Sequence, residues 1–146
     1  MLGAIIGDIV GSIYEFDNIK TKNFNLFTNE MFFTDDTVMT IAIADAIING
    51  AKPENFILSM KKWGCNYIEK SYGASFINWL TSETSEPYNS WGNGSAMRVS
   101  PCGWIAKLNI PFEEGLKLTE DLAKKSAEVT HNHPEGIKGA QATASS

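Results

Sequence analysis

An all-α fold is predicted by two features of the amino-acid sequence. Apolar residues recur at steps of three and four along most of the chain, which is the spacing of one helix face. Long runs that alternate β-branched and polar residues, typical of strands, do not occur. With 146 residues, of which 43% are hydrophobic and 20% charged, the chain can form one domain with a buried core. This composition excludes disordered and fibrous proteins.

The first predicted helix covers residues 2–13, where apolar side chains repeat at helical spacing. Gly3, Gly7 and Gly11 form a second stripe at four-residue steps. Each glycine lowers the stability of a helix by about 1 kcal/mol relative to alanine, so three of them predict close packing against another backbone. Residues 17–33 are polar and are expected to form a surface loop.

Six further helical segments are predicted from the same spacing and from the Gly and Pro residues that bound them. Pro53 fits the first turn of one of them, because a proline there gives up no helical hydrogen bond. The final segment is rich in small residues and has no stop signal, so we expect the chain to end inside a helix. The segments are 38–48, 53–67, 74–80, one that begins at 95, 113–129 and one that begins at 134.

Charge and cysteine content exclude several classes of protein. The net charge is −5 and the basic residues are scattered, which disfavours binding to nucleic acid. The apolar start has no basic residue before it and is interrupted by Asp8, so neither a signal peptide nor a membrane span is expected. Cys65 and Cys102 are too far apart to form a CxxC site, and no disulfide framework is expected. A cytoplasmic location is therefore the expectation.

Thr34, Asp35 and Asp36 stand directly before a helical run and allow two interpretations. Thr34 can cap the helix while the two carboxylates complement its positive end. Alternatively, two adjacent carboxylates and a hydroxyl can bind a hard cation such as Mg²⁺. The residues alone leave both interpretations open.

The segment from Trp91 to Arg98 is a glycine-rich loop that is expected to open a helix. Its backbone N–H groups can converge on an anion, with Arg98 either pairing with a phosphate or bracing the loop. An ordinary tight turn is the alternative. The Lys-Ser/Thr pair of nucleoside-triphosphate loops is absent from this segment.

His131 and Glu15 are two further candidates with ordinary alternatives. His131 follows a helix, where the helix dipole favours a histidine without any functional role. Glu15 interrupts an apolar run at the end of the first helix, and a solvated side chain would explain it.

Four separated motifs, taken in order, resemble the ADP-ribosylglycohydrolase family, which includes the dinitrogenase reductase-activating glycohydrolases. The resemblance spans the whole chain, and the order of the motifs makes it specific. The motifs are G-A-I-I-G-D-I-V-G-S-I-Y-E at 3–15, F-T-D-D-T-V-M at 33–39, W-G-N-G-S-A-M-R-V-S-P at 91–101, and T-H-N-H-P at 130–134 followed by Gly139 and Ala140.

This resemblance implies an all-α fold and hydrolysis of the bond at C1 of ADP-ribose with two Mg²⁺ or Mn²⁺ ions. It implies metal ligation by Thr34, Asp35 and Asp36. Glu15 would lie over the metal site and position water or substrate, which makes Glu15, Asp35 and Asp36 the implied catalytic residues. The implied residues that bind the diphosphate and ribose or line the pocket are Gly92, Asn93, Gly94, Ser95, Met97 and His131.

The sequence departs from the family pattern at its end. Family members are longer and carry a second acidic motif, Asp-x-Asp-Thr, which is absent after Thr130. We therefore expect residues 1–146 to be one incomplete domain, the N-terminal portion of an enzyme that removes ADP-ribose from a protein side chain or a small ADP-ribosyl conjugate.

The alternative interpretation is a non-catalytic module that binds ADP-ribose or associates with itself. An apolar face formed by Leu2, Ile6 and Val10, the glycine stripe and the segment 140–144 are all expected to lack partners within the chain. This favours self-association or pairing with a complementing C-terminal chain.

Overall fold

The computed structural model describes residues 1–105 and 110–146, and in these ranges it contains seven α-helices and no strand. The all-α class is confirmed, and residues 17–33 form the expected loop. Short 3₁₀ turns lie at Ser12–Tyr14 and Asn93–Ser95. The helices are α1 (Leu2–Gly11), α2 (Asp35–Ile48), α3 (Pro53–Asn66), α4 (Ala74–Thr81), α5 (Ser100–Ile105), α6 (Phe112–Glu128) and α7 (Pro134–Ser145).

Helix α2 lies at the centre of the fold, because it packs against α1, α3 and α5. Its side chains Met39, Ala42 and Ile43 are fully buried. The helix ends as the sequence predicts: Gly50 follows with φ 116°, a backbone conformation that favours glycine. The N-terminus of α2 is thereby fixed against its neighbours, and the candidate site lies there.

Helices α5, α6 and α7 form the second packed group, in which α6 contacts α7 and α5 contacts both. Gly103 of α5 lies against the backbone of α7: a Cβ at this position would be 2.4 Å from the carbonyl oxygen of Ala144. Ala140 and Ala144 are both buried. The small residues of α7 therefore have close neighbours within the chain, contrary to the expectation for segment 140–144.

The helix expected from Ser95 begins five residues later, at Ser100. Pro101 explains the difference. In a helix running through this segment, the N–H of residue 101 would bond the carbonyl of Met97, but proline has no N–H and its ring clashes with that carbonyl. The chain instead makes a 3₁₀ turn and starts α5 with Pro101 in its first turn.

Helix α1 is the most exposed helix of the described chain, and none of its residues is buried. Leu2 is 73% exposed and Ile6 48%. A Cβ on Gly3, Gly7 or Gly11 would meet no atom within 4 Å, so the glycine stripe has no close neighbour in the described chain. No helix in the described ranges has both the length and the apolar character needed to cross a bilayer.

Association between copies is the expected consequence of the exposed α1 face. Light scattering across a dilution series should give a mass above 16.1 kDa that falls on dilution. The Ile6→Asp variant should stay at the monomer mass, whereas Ile48→Asp, at an 83% exposed position on α2, should behave as wild type. A wild-type mass that stays constant at 16.1 kDa at every concentration would contradict the expectation.

Candidate active site

A network of hydrogen bonds holds the N-terminus of α2. Thr34 caps the helix, since its Oγ1 accepts from the N–H of Asp36 at 3.2 Å. The Thr34 hydroxyl donates in turn to Asp8 Oδ1 at 2.6 Å. The other oxygen of Asp8 accepts from the N–H groups of Thr34 and Thr37, at 2.8 and 3.2 Å, and from the Thr37 hydroxyl at 2.5 Å. Asp8 thus joins α1 to α2 and orients the acidic turn.

This role of Asp8 was not predicted from the sequence, where Asp8 served only as evidence against a membrane span. Asp8 is nevertheless the one charged residue between Leu2 and Gly11. A single charge in an apolar helix is a signal that it has polar partners elsewhere in the fold. Those partners are 26 and 29 positions away, so local spacing cannot identify them.

Glu15, Asp35 and Asp36 line a cleft of about 440 Å³. Burial raises the pKa of Asp35 to about 6, and the charges of Asp36, Glu15 and Asp8 add to the increase. Burial, followed by the charges of Asp8 and Glu15, also raises the pKa of Asp36. No Lys or Arg in the described ranges forms an ion pair with these carboxylates. Such an uncompensated cluster favours a bound cation.

The glycine-rich loop lines the same cleft, through Gly92, Asn93, Gly94 and Met97. Its 3₁₀ turn begins with a hydrogen bond from the N–H of Ala96 to the carbonyl of Asn93 at 2.8 Å. The N–H groups of Asn93, Gly94 and Ser95 have no acceptor within the turn, whereas the N–H of Gly92 donates to Ser90 Oγ at 3.2 Å. The loop does not open an α-helix, so any attraction for an anion comes from these N–H groups without a long helix dipole behind them.

Ser95, which the resemblance places at the ligand, has its side chain behind the loop. It is 1% exposed, and its hydroxyl donates to the carbonyl of Gly136 in α7 at 2.9 Å. Ser95 therefore joins the loop to α7, and its side chain is not among the groups that line the cleft.

His131 lines the cleft from the connection between α6 and α7. Its Nδ1 lies 2.8 Å from Thr130 Oγ1, and its Nε2 faces the loop, 3.1 Å from where a Cβ on Gly94 would lie. Burial, with a smaller effect from the charge of Arg98, lowers the pKa of His131 to about 4. The imidazole is therefore neutral at neutral pH.

Arg98 also lines the cleft, and its buried side chain braces the loop against the end of α6. It is 1% exposed, and Nη2 donates to the carbonyl of Ser126 at 2.6 Å and to Thr130 Oγ1 at 2.8 Å. Burial lowers its pKa to about 10, which leaves the guanidinium charged at neutral pH. Of the two roles that the sequence left open for Arg98, these contacts support bracing.

A family model described as ADP-ribosylglycohydrolase matches residues 1–146, the whole chain. The chain belongs to the ADP-ribosylglycohydrolase family. At the level of the family, this supports a hydrolase of the glycohydrolase class, and the seven described helices agree with the family's all-α fold. The motifs on which the resemblance rested are the segments that line the cleft or support its walls.

Several cleft residues of this family member had no signal in the sequence. They come from the start of α4 and the residues just before it, and from the segment that leads into the glycine loop. Tyr88 is tied to the site, because its ring lies 5.7 Å from that of His131 and its N–H donates to the carbonyl of Thr130. These residues are Ser71, Gly73, Ala74, Ser75, Phe76, Tyr88 and Ser90.

The donor set at the acidic turn agrees in chemistry with the metal that the family resemblance implies. Carboxylate and hydroxyl oxygens suit Mg²⁺, and the raised pKa values of Asp35 and Asp36 show that a nearby positive charge would stabilise both carboxylates. In the described ranges, however, no group of three or more His, Cys, Asp or Glu side chains is placed to hold a metal ion. The oxygen atoms of these residues are of the type that binds Mg²⁺, and water would have to supply most of the remaining ligands.

Weak binding of Mg²⁺ is the expected result of this sparse donor set. Calorimetry should give a dissociation constant on the order of millimolar, because few carboxylates contribute. The Asp36→Ala variant should show no heat of binding, while Asp45→Asn, at the far end of α2, should bind as wild type. Tight binding of two ions per chain would contradict this prediction.

Proposed function

We propose that this chain binds ADP-ribosyl conjugates in the cleft and hydrolyses the bond at C1 of ADP-ribose with the help of divalent metal. The observation that carries the proposal is the cleft itself, which is lined by three carboxylates, a glycine-rich loop and a neutral histidine. Its volume of about 440 Å³ lies in the range of about 300–1,000 Å³ that is usual for small-molecule sites.

The cleft offers groups for two parts of an ADP-ribosyl group. The N–H groups of the glycine loop attract the diphosphate in the middle of the ligand, which the carboxylates would repel. The carboxylates therefore favour a part of the ligand without charge, and the proposal assigns them to the ribose with the scissile bond. With this assignment an acidic protein can bind an anionic ligand.

Thr34, Asp35 and Asp36 would hold the divalent ions, which when bound polarise the ribose hydroxyls and water. Thr34 retains an oxygen lone pair for this purpose, because its hydroxyl proton is directed at Asp8 and one lone pair accepts from Asp36 N–H. Glu15 lies at the exposed edge of the same cleft, where its carboxylate can orient a water molecule or accept its proton.

Hydrolysis of a labelled ADP-ribosyl conjugate in the presence of Mg²⁺ tests the proposal. We expect release of ADP-ribose by the wild type, a loss of at least about 100-fold in Asp36→Ala and Glu15→Gln, and full activity in Asp45→Asn. The absence of both turnover and ADP-ribose binding in the wild type would contradict the proposal. Binding without turnover would select the alternative, a non-catalytic module that binds ADP-ribose.

The loop assignment has a matched pair of variants at Ser95. Ser95→Ala removes only the hydroxyl that bonds Gly136, whereas Ser95→Pro also removes a backbone N–H of the loop. Thermal stabilisation by ADP-ribose should persist in the alanine variant and disappear in the proline variant. Equal stabilisation of both variants by ADP-ribose would show that the loop N–H groups do not bind the diphosphate.

A further inference from the structure

We propose that Thr130 is a positioning residue that holds His131 in the neutral form with its proton on Nε2, so that His131 donates a hydrogen bond to an oxygen of the bound ligand. The identity of that ligand, an ADP-ribosyl group, rests on the proposed function. The arrangement of the protons follows from the hydrogen bonds of this one cluster.

The hydroxyl oxygen of Thr130 lies between Arg98 and His131. Nη2 of Arg98 is 2.8 Å from Oγ1, and a guanidinium can only donate. One lone pair of Oγ1 is therefore occupied by Arg98, and the hydroxyl proton of Thr130 needs an acceptor elsewhere.

Two acceptors lie within reach of that proton: the carbonyl oxygen of Ala127 at 3.5 Å and Nδ1 of His131 at 2.8 Å. The carbonyl of Ala127 already accepts the backbone N–H groups of Thr130 and His131, at 3.0 and 2.7 Å. A carbonyl oxygen has two lone pairs, so this acceptor is saturated. The proton of Thr130 is thus directed at Nδ1, which must carry a lone pair.

The other ring nitrogen of His131, Nε2, faces the glycine loop. A neutral imidazole that accepts at Nδ1 carries its proton on Nε2. Nε2 lies at the glycine loop, 3.1 Å from a Cβ built on Gly94 and 3.9 Å from one built on Gly92. No described residue accepts a hydrogen bond from it, and the ring lines the cleft. The Nε2–H group is therefore a free donor beside the loop N–H groups.

Arg98 helps to hold Thr130 in place, because Nη2 donates both to Oγ1 and to the carbonyl of Ser126. The direction of the Thr130–His131 bond is set by the hydroxyl proton, for which Nδ1 is the acceptor left. If Oγ1 accepted from Nδ1–H instead, a lone pair on Nε2 would face the ligand and repel its phosphate oxygens.

Nitrogen NMR of the protein labelled with ¹⁵N-histidine reads the tautomer directly. The chain has two histidines, and the spectrum of His133→Asn, which keeps a helix-capping side chain, assigns the signals of His131. At neutral pH we expect a pyridine-type signal from Nδ1 and a pyrrole-type signal from Nε2. Thr130→Val should move both signals toward intermediate values, and Thr130→Ser should restore them.

Calorimetry with ADP-ribose measures the consequence for binding. Thr130→Val should weaken binding about five- to tenfold, the loss of roughly one hydrogen bond, and Thr130→Ser should not. His131→Gln, whose amide nitrogen can replace Nε2–H, should stay within about threefold of wild type. His131→Asn, whose shorter amide reaches only the Nδ1 position, should bind about tenfold more weakly.

A pyrrole-type Nδ1 in the wild type would overturn the proposal, and so would a Thr130→Val protein with wild-type signals and affinity. If Thr130→Val does not fold, the wild-type spectrum and the glutamine and asparagine pair still decide the question. If the wild type shows the expected tautomer but no affinity for ADP-ribose, the proposed function fails, and the ligand contact of His131 is overturned with it. The positioning role of Thr130 is supported in that case.

Discussion

Asp35→Asn is expected to raise the free energy of unfolding of the metal-free protein by about 1–2 kcal/mol at pH 7.5. Burial and three neighbouring carboxylates raise the pKa of Asp35 from 3.8 to about 6, so its charge destabilises the fold above pH 6. The expected change in free energy is smaller than the value that corresponds to the full pKa shift, because the side chain is only partly buried and water screens its charge. Urea unfolding in the presence of EDTA measures the change.

The free energy of unfolding of the wild type and that of Asp35→Asn should depend differently on pH. A carboxyl group with a raised pKa in the fold binds protons more tightly there, so its destabilisation vanishes as the pH falls from 6 toward 3.8. His131 acts in the opposite direction: with its pKa lowered from 6.5 to about 4, it removes stability as the pH falls through this range. The wild type should therefore change little between pH 6.5 and 4, whereas Asp35→Asn should lose stability steadily.

Asp45→Asn is the matched control on the same helix. Oδ2 of Asp45 accepts from Trp63 Nε1 at 2.9 Å, and the hydrogen bonds from Trp63 and Lys62 lower the pKa of this carboxyl. Its substitution should destabilise the protein at pH 7.5, opposite to Asp35→Asn. Addition of Mg²⁺ should stabilise the wild type and Asp45→Asn but not Asp35→Asn. An Asp35→Asn protein that is less stable than wild type without metal would contradict the prediction.

Charged groups that bind a ligand often destabilise the protein when the ligand is absent. The adjacent carboxylates of Asp35 and Asp36 are unfavourable for the isolated fold, yet the hydrogen bonds of Asp8 and Thr34 hold the acidic turn in place. Sequence alone could identify the two carboxylates, because adjacent acids before a helix are a local pattern. It could not show that their charges are uncompensated, since this depends on which residues are absent around them in space.

Most helices were predictable because each is defined by spacing within its own segment. Helix α3 shows this well: Pro53 begins it, and Phe56 and Met60 at four-residue spacing are fully buried. The predicted start of α5, at residue 95, was wrong: it was based on apolar spacing, whereas Pro101 prevents a continuous helix through this segment. Local backbone chemistry overrides side-chain spacing where the two disagree.

The sequence could not show how the side chains of the glycine-rich loop are oriented. Ser95 and Arg98 lie in one motif with Gly94 and Met97, and nothing in their spacing shows which of them face the cleft. The structure directs Ser95 to α7 and Arg98 to the end of α6, because each finds buried carbonyl acceptors there. Contacts of this kind join residues 28 to 41 positions apart and depend on the packing of α6 and α7.

Asp8→Ala is expected to detach α1 from the rest of the fold. The carboxylate of Asp8 accepts four hydrogen bonds from Thr34 and Thr37, and a bond to a charged acceptor contributes about 1.5–3 kcal/mol. Because α1 has no buried residue, apolar packing cannot replace these bonds. We expect a loss of about 2–4 kcal/mol in the local stability of this region.

Hydrogen exchange distinguishes this local loss from global unfolding. Amides of α1 and of Thr34 and Thr37 should lose protection in Asp8→Ala, while those of α3 and α6 should keep it, because α3 packs mainly on α2 and α6 mainly on α7. Asp8→Asn should be intermediate, since an amide oxygen can still accept from the N–H groups but without charge. Binding of Mg²⁺ should weaken together with the protection of α1, because Asp8 orients Thr34 and the acidic turn. Unchanged protection of α1 in Asp8→Ala would show that its half-buried apolar side chains, such as Ile9, are sufficient to hold it in place.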